Sequence, residues 1–225
     1  MFSNLKRLLE HGYKPEYVFD IGAYHGNWTT TAISIFPSAH YFMIEGIKYT
    51  ELKQYDKFSN LTVINEILND KSGKITWYEM RNTGDSMFKE RTMWGAGSTE
   101  LQRDAITLNE CLTKYNIDMN KLKNVFIKID CQGAELAILK GSSDIIPFVD
   151  FILMELPLFG QYNENVPSFI EHIQYMDSIG FIPYDIVDNH YINNFNMQID
   201  MLFINKKHPY NQSIQDKLLV EYNEK

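Results

Sequence analysis

Two hydrophobic rhythms alternate along this chain. Short apolar runs with the Val, Ile and Phe content of strands occupy Tyr17–Ile21, His40–Glu45, Leu61–Leu68, Asn124–Asp130, Val149–Leu156, Phe181–Val187 and Asp200–Asn205. Between the earlier runs, apolar residues recur at helical spacing and predict helices over 26–36, 48–57, 107–115, 133–140 and 167–179. Pro37, Gly141 and Gly180 supply stop signals, and Thr107 with Glu110 three residues on has the form of a capping box. Strands that alternate with helices predict an α/β fold: a mostly parallel sheet with helices on both faces. Phe181–Val187 and Asp200–Asn205 are joined by a polar, Asn-rich linker, Asp188–Gln198, with no helical period, so the last strand is expected to run antiparallel.

The remaining segments hang on this frame. Leu5, Leu8 and Leu9 predict a short helix within the N-terminal segment 1–16, ended by Gly12 and Pro15. Ile75–Glu79 reads as an extra strand. Residues 80–104 have no clean period and hold Gly84, Gly95 and Gly97, which predicts a long loop or lid. Within the tail 206–225, Ile214, Leu218, Leu219 and Tyr222 fall at helical spacing and predict a final docked helix. No repeat or low-complexity linker interrupts 1–225, so one domain is expected.

The candidate chemistry begins at Val18–Thr30, VFDIGAYHGNWTT, which reads as strand, glycine turn and helix. Gly22, Ala23 and Gly26 keep the turn small. A dinucleotide turn needs a middle glycine where the pyrophosphate approaches the backbone, and Tyr24 stands in that stretch instead. A phosphate-binding lysine loop is also missing from the sequence. Glu45 ends the second run about 20 residues beyond the turn, where an acid can accept both hydroxyls of a ribose. A nucleoside without a pyrophosphate fits this combination, and S-adenosylmethionine is such a ligand.

Composition and charge narrow the partners. The chain has 21 basic and 29 acidic residues, a formal net charge of −8, and no basic block, which argues against a nucleic-acid partner. No apolar run is long enough to span a bilayer, and the basic, amphipathic N-terminus lacks the apolar core of a signal peptide. Two cysteines, Cys111 and Cys131, make neither a disulfide framework nor a zinc site by themselves, and a cytoplasmic location is the expectation.

VFDIGAYHGNWT, FMIEG, FIKIDCQGAELAILKG, FILMELP and MQIDMLFINK together resemble the FkbM family of S-adenosylmethionine-dependent methyltransferases over about residues 17–205. The more specific part is Lys128-Ile129-Asp130 with Gly133-Ala134-Glu135 and Leu139-Lys140-Gly141. Two positions depart from the family's usual pattern: Gln132 stands where Glu is common, and His25 where Asn is common. The resemblance implies a Rossmann-like class I methyltransferase fold, with a seven-stranded sheet, and methyl transfer to oxygen, often a sugar hydroxyl.

Within that frame Asp20 is expected to meet the cofactor's ammonium group. Gly22, Ala23 and Gly26 cradle its methionine end, Glu45 binds the ribose, and Gly46 with Ile47 flanks the adenine opposite Ile67 and Leu68. Lys128 in a central strand needs a partner, with Asp130 or Glu155 the nearest acids in the pattern. Asp130, at a strand's carboxyl end, borders the cofactor and is the first candidate for the base that accepts the acceptor's proton. Glu155 ends the neighbouring strand, and His190 is a second candidate base. A divalent metal is not the favoured reading; if one were bound, Asp130 and Glu155 would hold it. Trp94 and the arginines 81, 91 and 103 are placed over the acceptor, a small molecule or saccharide. Two other classes stay open: a non-catalytic binding or assembly subunit of the same fold, for which Gln132 speaks, and an NAD-dependent oxidoreductase, against which Tyr24 speaks. Self-association into a homo-oligomer is left open.

Overall fold

A computed structural model describes residues 2–93, 95–158 and 163–223, and for 217–223 the backbone course only. Its frame is a seven-stranded sheet built from β1 (Tyr17–Ile21), β2 (His40–Ile44), β3 (Leu61–Ile64), β7 (Val125–Ile129), β8 (Val149–Pro157), β9 (Phe181–Ile192) and β10 (Phe195–Asn205). The strand order is β3-β2-β1-β7-β8-β10-β9. β10 runs antiparallel to both neighbours, while the other pairings are parallel. Helices α1 (Phe2–Glu10), α2 (Asn27–Ile35), α3 (Leu108–Lys114), α4 (Glu135–Lys140), α5 (Phe169–Ser178) and α6 (Pro209–Asn223) accompany it. Ser168 caps α5 with a complete capping box. The helix predicted over 48–57 is a 3-10 helix, Thr50–Lys57.

Alternation along each strand feeds two cores. Phe19, Ile21, Ile127, Ile129, Ile152, Met154, Met201 and Phe203 face one; Val18, Phe126, Phe151, Leu153, Leu202 and Ile204 face the other. Following the second set toward the carboxyl ends of the parallel strands, the same face next presents Asp20, Lys128, Asp130, Glu155 and Asp200. The apolar rows thus end in charges at one edge of one face, where ligands of open α/β sheets bind.

Three elements differ from the sequence-based expectation. Leu61–Leu68 is two strands: β3 stops at Ile64, and Ile67–Leu68 (β4) leaves for a second, three-stranded sheet, in which it pairs with Thr99–Ile106. That sheet takes in β5 (Gly73–Glu79) and β6 (Thr99–Ile106), so the irregular stretch ends at Ser98 and not at 104. Ile67, Trp77 and Ala105 form its small core. The polar stretch Asp188–Gln198 is not a linker. It extends both last strands into a hairpin, turned at Asn193 (φ 49) and Asn194 (φ 64), the double positive φ of a type I′ turn. His190 therefore lies on a strand, opposite Gln198 of β10. Trp94 and the side chains of Leu218, Leu219 and Tyr222 lie outside the described residues.

Candidate active site

β1 turns at Gly22, with φ 76, and a Cβ there would come within 1.9 Å of the Asp130 carbonyl oxygen. Glycine is what lets the ends of β1 and β7 lie this close. The same approach sets Asp20 in register with Lys128. Asp20 is fully buried; Lys128 Nζ lies 3.1 Å from its Oδ1, and Thr29 Oγ1 donates to its Oδ2 at 2.5 Å. Lys128 also donates to the Gly22 carbonyl at 3.0 Å and lies 3.5 Å from Asp130 Oδ2. Burial works to lower the Lys128 pKa, but the charges of Asp20 and Asp130 outweigh it and raise it. The lysine's partners are thus Asp20 and Asp130, and it forms no ion pair with Glu155 among the described residues. Asp20 holds β1 to β7 beneath the site and is not among the residues that line the cavity above it.

The backbone of the glycine turn is occupied as well. Gly22 and Ala23 N–H donate to the Ile44 carbonyl (2.9 and 3.2 Å), Gly26 N–H donates to Ala23 (2.7 Å), and Tyr24 N–H donates to Glu45 Oε2 (2.7 Å). Ala23 is buried in the second core. A Cβ on Gly26 would strike the Tyr55 ring at 2.5 Å, and Tyr55 Oη donates to the Gly26 carbonyl at 2.8 Å. Ala23 and Gly26 therefore shape the turn from behind and do not reach the cavity.

That cavity, about 280 Å3, opens over the carboxyl ends of β1, β2 and β7. Gly22, Glu45, Gly46, Ile67, Leu68, Asp130, Glu155 and His190 all line it. Glu45 is fixed at both oxygens: Oε2 accepts from Tyr24 N–H and Oε1 from Ile47 N–H at 2.8 Å. Burial raises its pKa, against the two backbone hydrogen bonds and the Lys128 charge. A Cβ on Gly46 would lie 2.8 Å from Ile67, so the strand end packs directly on the second sheet, which adds Trp77 to the wall. Arg103 is spent on this joint, donating to the Gly46 carbonyl at 3.1 Å and lying 3.4 Å from Glu79. Arg81 also pairs with Glu79, at 3.0 Å.

After β7 the chain passes through two left-handed residues, Gln132 (φ 52) and Gly133 (φ 101). The second is tight: a Cβ on Gly133 would meet Val166 at 2.4 Å. Glu135, 1% exposed, accepts from Cys131 N–H at 2.8 Å, and burial raises its pKa to about 7. Asp130 keeps a side chain 43% exposed in the cavity and accepts from Gln132 Nε2 at 3.2 Å. Glu155 accepts from Gln198 Nε2 at 2.6 Å; burial, then the charges of Asp130, Glu135 and Asp200, push its pKa well up. His190 Nε2 stands 3.3 Å from Asp200 Oδ2, and that contact raises the His190 pKa.

A second cavity of about 420 Å3 adjoins the first and shares Asn82, Thr83, Gln132 and His190 with it. Its other walls include Thr92, Ile192, Met197 and Gln198. Sequence reading missed this set, apart from placing 80–104 over the acceptor, because the hairpin that carries Ile192, Met197 and Gln198 looked like a linker. Tyr24, Tyr49, Trp77, Asp85 and Met87 in the first cavity were missed too; Tyr24 had served only to exclude a dinucleotide.

Residues 20–183 match the Methyltransferase FkbM domain. No curated protein matches the chain. Among solved structures it is similar to the Burkholderia thailandensis 1,6-didemethyltoxoflavin-N1-methyltransferase with bound 1,6-didemethyltoxoflavin and S-adenosylhomocysteine. The identity there is 9%, over 91% of this chain and 77% of that one, with a TM-score of 0.51. It is similar as well to methyltransferase FkbM from Methylobacillus flagellatus KT, at 15% identity over 84% of this chain and a TM-score of 0.51; this chain spans 43% of that protein's length. The shared architecture is the class I methyltransferase fold.

Proposed function

The chain belongs to the FkbM methyltransferase family, and we propose that it transfers a methyl group from S-adenosylmethionine to a hydroxyl of a saccharide or glycoconjugate precursor. The observation that carries the reading is the charge of the first cavity. Its described lining holds five carboxyls, Glu45, Glu66, Asp85, Asp130 and Glu155, the last pushed toward its neutral form by burial, and neither lysine nor arginine. Such a wall suits a sulfonium and an ammonium and repels a pyrophosphate. The occupied amides of the glycine turn also speak against a dinucleotide, which would need them.

When bound, S-adenosylmethionine would supply an electrophilic methyl group for the acceptor oxygen and a sulfur able to take back the C–S electron pair. The residues here bind and orient. Both Glu45 oxygens are already held by backbone N–H groups, so the carboxylate is preorganised and each oxygen keeps a lone pair for a ribose hydroxyl. Gly46, Ile67, Leu68 and Trp77 offer an apolar slot for the adenine. Asp130, braced by Lys128 and Gln132, accepts the acceptor's proton. Besides Glu90 and His190, the second cavity offers amides, hydroxyls and aliphatic groups, which suit the alternating C–H and O–H surface of a sugar.

Asp130→Asn is the test of the base. We expect kcat for formation of S-adenosylhomocysteine to fall roughly 10²–10⁴-fold with cofactor affinity retained. Turnover should be found in a screen of neutral saccharides and their lipid- or nucleotide-linked precursors. Undiminished turnover in Asp130→Asn, or turnover confined to nitrogen acceptors, would count against this assignment. Cofactor binding without turnover on any acceptor would favour the non-catalytic reading.

A further inference from the structure

We propose that Glu155, His190 and Asp200 hold one divalent transition-metal ion at the seam of the two cavities. Three neighbouring strands bring them together. Glu155 of β8 is the register partner of Asp200 on β10, and His190 of β9 lies opposite Gln198, two residues from Asp200. One ligand atom from each of the three lies within 4.8 Å of the others. Bonds of about 2.0–2.2 Å to a central ion place ligand atoms roughly 3–4.3 Å apart, so small side-chain rotations close the site.

Two further observations favour a cation among these side chains. Asp200 is only 7% exposed, yet among the described residues its carboxylate takes no hydrogen bond from outside the trio. His190 Nε2 is enclosed and has no hydrogen bond of good alignment, its contact being Asp200 Oδ2 at 3.3 Å. Two carboxylates directly opposite on neighbouring strands repel. The nearby buried cation, Lys128, is committed to Asp20 and Asp130.

The ligand types choose among metals. Two carboxylates and an imidazole suit manganese, iron, cobalt or zinc, whereas calcium and magnesium prefer all-oxygen sets. Glu155 and His190 both line the first cavity and His190 the second, so the ion's open positions face the place where the acceptor sits. The ion's role, though not its binding, rests on the methyltransferase reading. Bound to the ion, the acceptor hydroxyl becomes more acidic: its proton passes to Asp130, its oxygen bonds to the methyl carbon, and the C–S pair stays with sulfur. This differs from the pair expected from the sequence, since Asp130 is engaged by Lys128 and Gln132.

The test uses the full chain stripped with a chelator and titrated with Co2+ and Mn2+. Cobalt absorption and the spin-resonance signal of free manganese report binding without any turnover. We expect one ion per chain, with affinity at least about 10-fold weaker in Asp200→Asn and in His190→Gln. Asp200 lies outside the lining of the first cavity, so Asp200→Asn should keep its circular dichroism and its affinity for S-adenosylhomocysteine. Absence of a stoichiometric ion at about 1 mM metal, or binding unchanged in both variants, would overturn the site and leave a proton shared within the trio as the source of compensating charge. Metal binding by a chain that does not bind S-adenosylhomocysteine would leave the site standing and remove the function proposed above.

Discussion

Lys128→Met should lower folding stability by about 3–5 kcal/mol, the loss typical when one member of a buried ion pair is removed. The side chains of Lys128 and Asp20 are 6% and 0% exposed, and they pair across β1 and β7 at the centre of the sheet. Without the lysine, Asp20 keeps only the Thr29 hydroxyl among the described residues, and a charge inside the protein is left unmatched. For a chain of this size the loss corresponds to a fall in Tm of roughly 6–20 °C. The mechanism has two signatures. Lys128→Met combined with Asp20→Asn should recover much of the loss, because the second change removes the orphaned charge. The deficit of the single variant should also shrink toward acid pH. An unpaired buried carboxyl is more stable protonated, so the folded variant binds a proton more readily than the unfolded chain does and gains stability as pH falls. Additive losses in the double variant, or a deficit that grows toward acid pH, would mean that the lysine acts through packing alone.

Glu45→Ala should weaken S-adenosylhomocysteine binding about 100-fold, from the loss of charged hydrogen bonds to two ribose hydroxyls. The effect has a second source in the apo site. The Tyr24 and Ile47 N–H groups both donate to this carboxylate, so its removal loosens the turn and the strand end together. Glu45→Gln separates the two, since it keeps the volume and part of the hydrogen bonding; an intermediate loss is expected. Fluorescence or calorimetric titration reads both variants, and unchanged affinity in Glu45→Ala would move the ribose elsewhere in the cavity.

The parts of this architecture that were legible in the sequence are those written in local pattern. β1, β2, β3, β7 and β8 announce themselves as apolar runs because buried parallel strands are apolar on both faces, and β10 does so through its buried half, Ile199–Ile204. Glu45 was legible because it stands directly at a strand end, at a fixed distance from a glycine turn. The pairing of Asp20 was hidden for a reason that no local pattern carries: its partner is Lys128, more than a hundred residues away, brought alongside only by the β1–β7 register. Thr99–Ile106 was hidden because its strand faces solvent along much of its length and covers a core of few residues, so it lacks apolar alternation. The hairpin around Asn193 and Asn194 was hidden likewise. Ile186, Tyr191, Ile192 and Phe195 are exposed there, and the polar positions between them imitate a loop. His190, Asp200 and much of the second cavity's wall lie in that hairpin, so the acceptor side of the site was the less readable half.

The acidic cavity over β1, β2 and β7 should bind a sulfonium nucleoside and not a dinucleotide. Calorimetric titration of the intact chain with S-adenosylmethionine, alongside NAD, tests this most directly. One S-adenosylmethionine should bind saturably per chain, and NAD should give no saturable heat. Saturation by NAD, or no binding of S-adenosylmethionine, would contradict this.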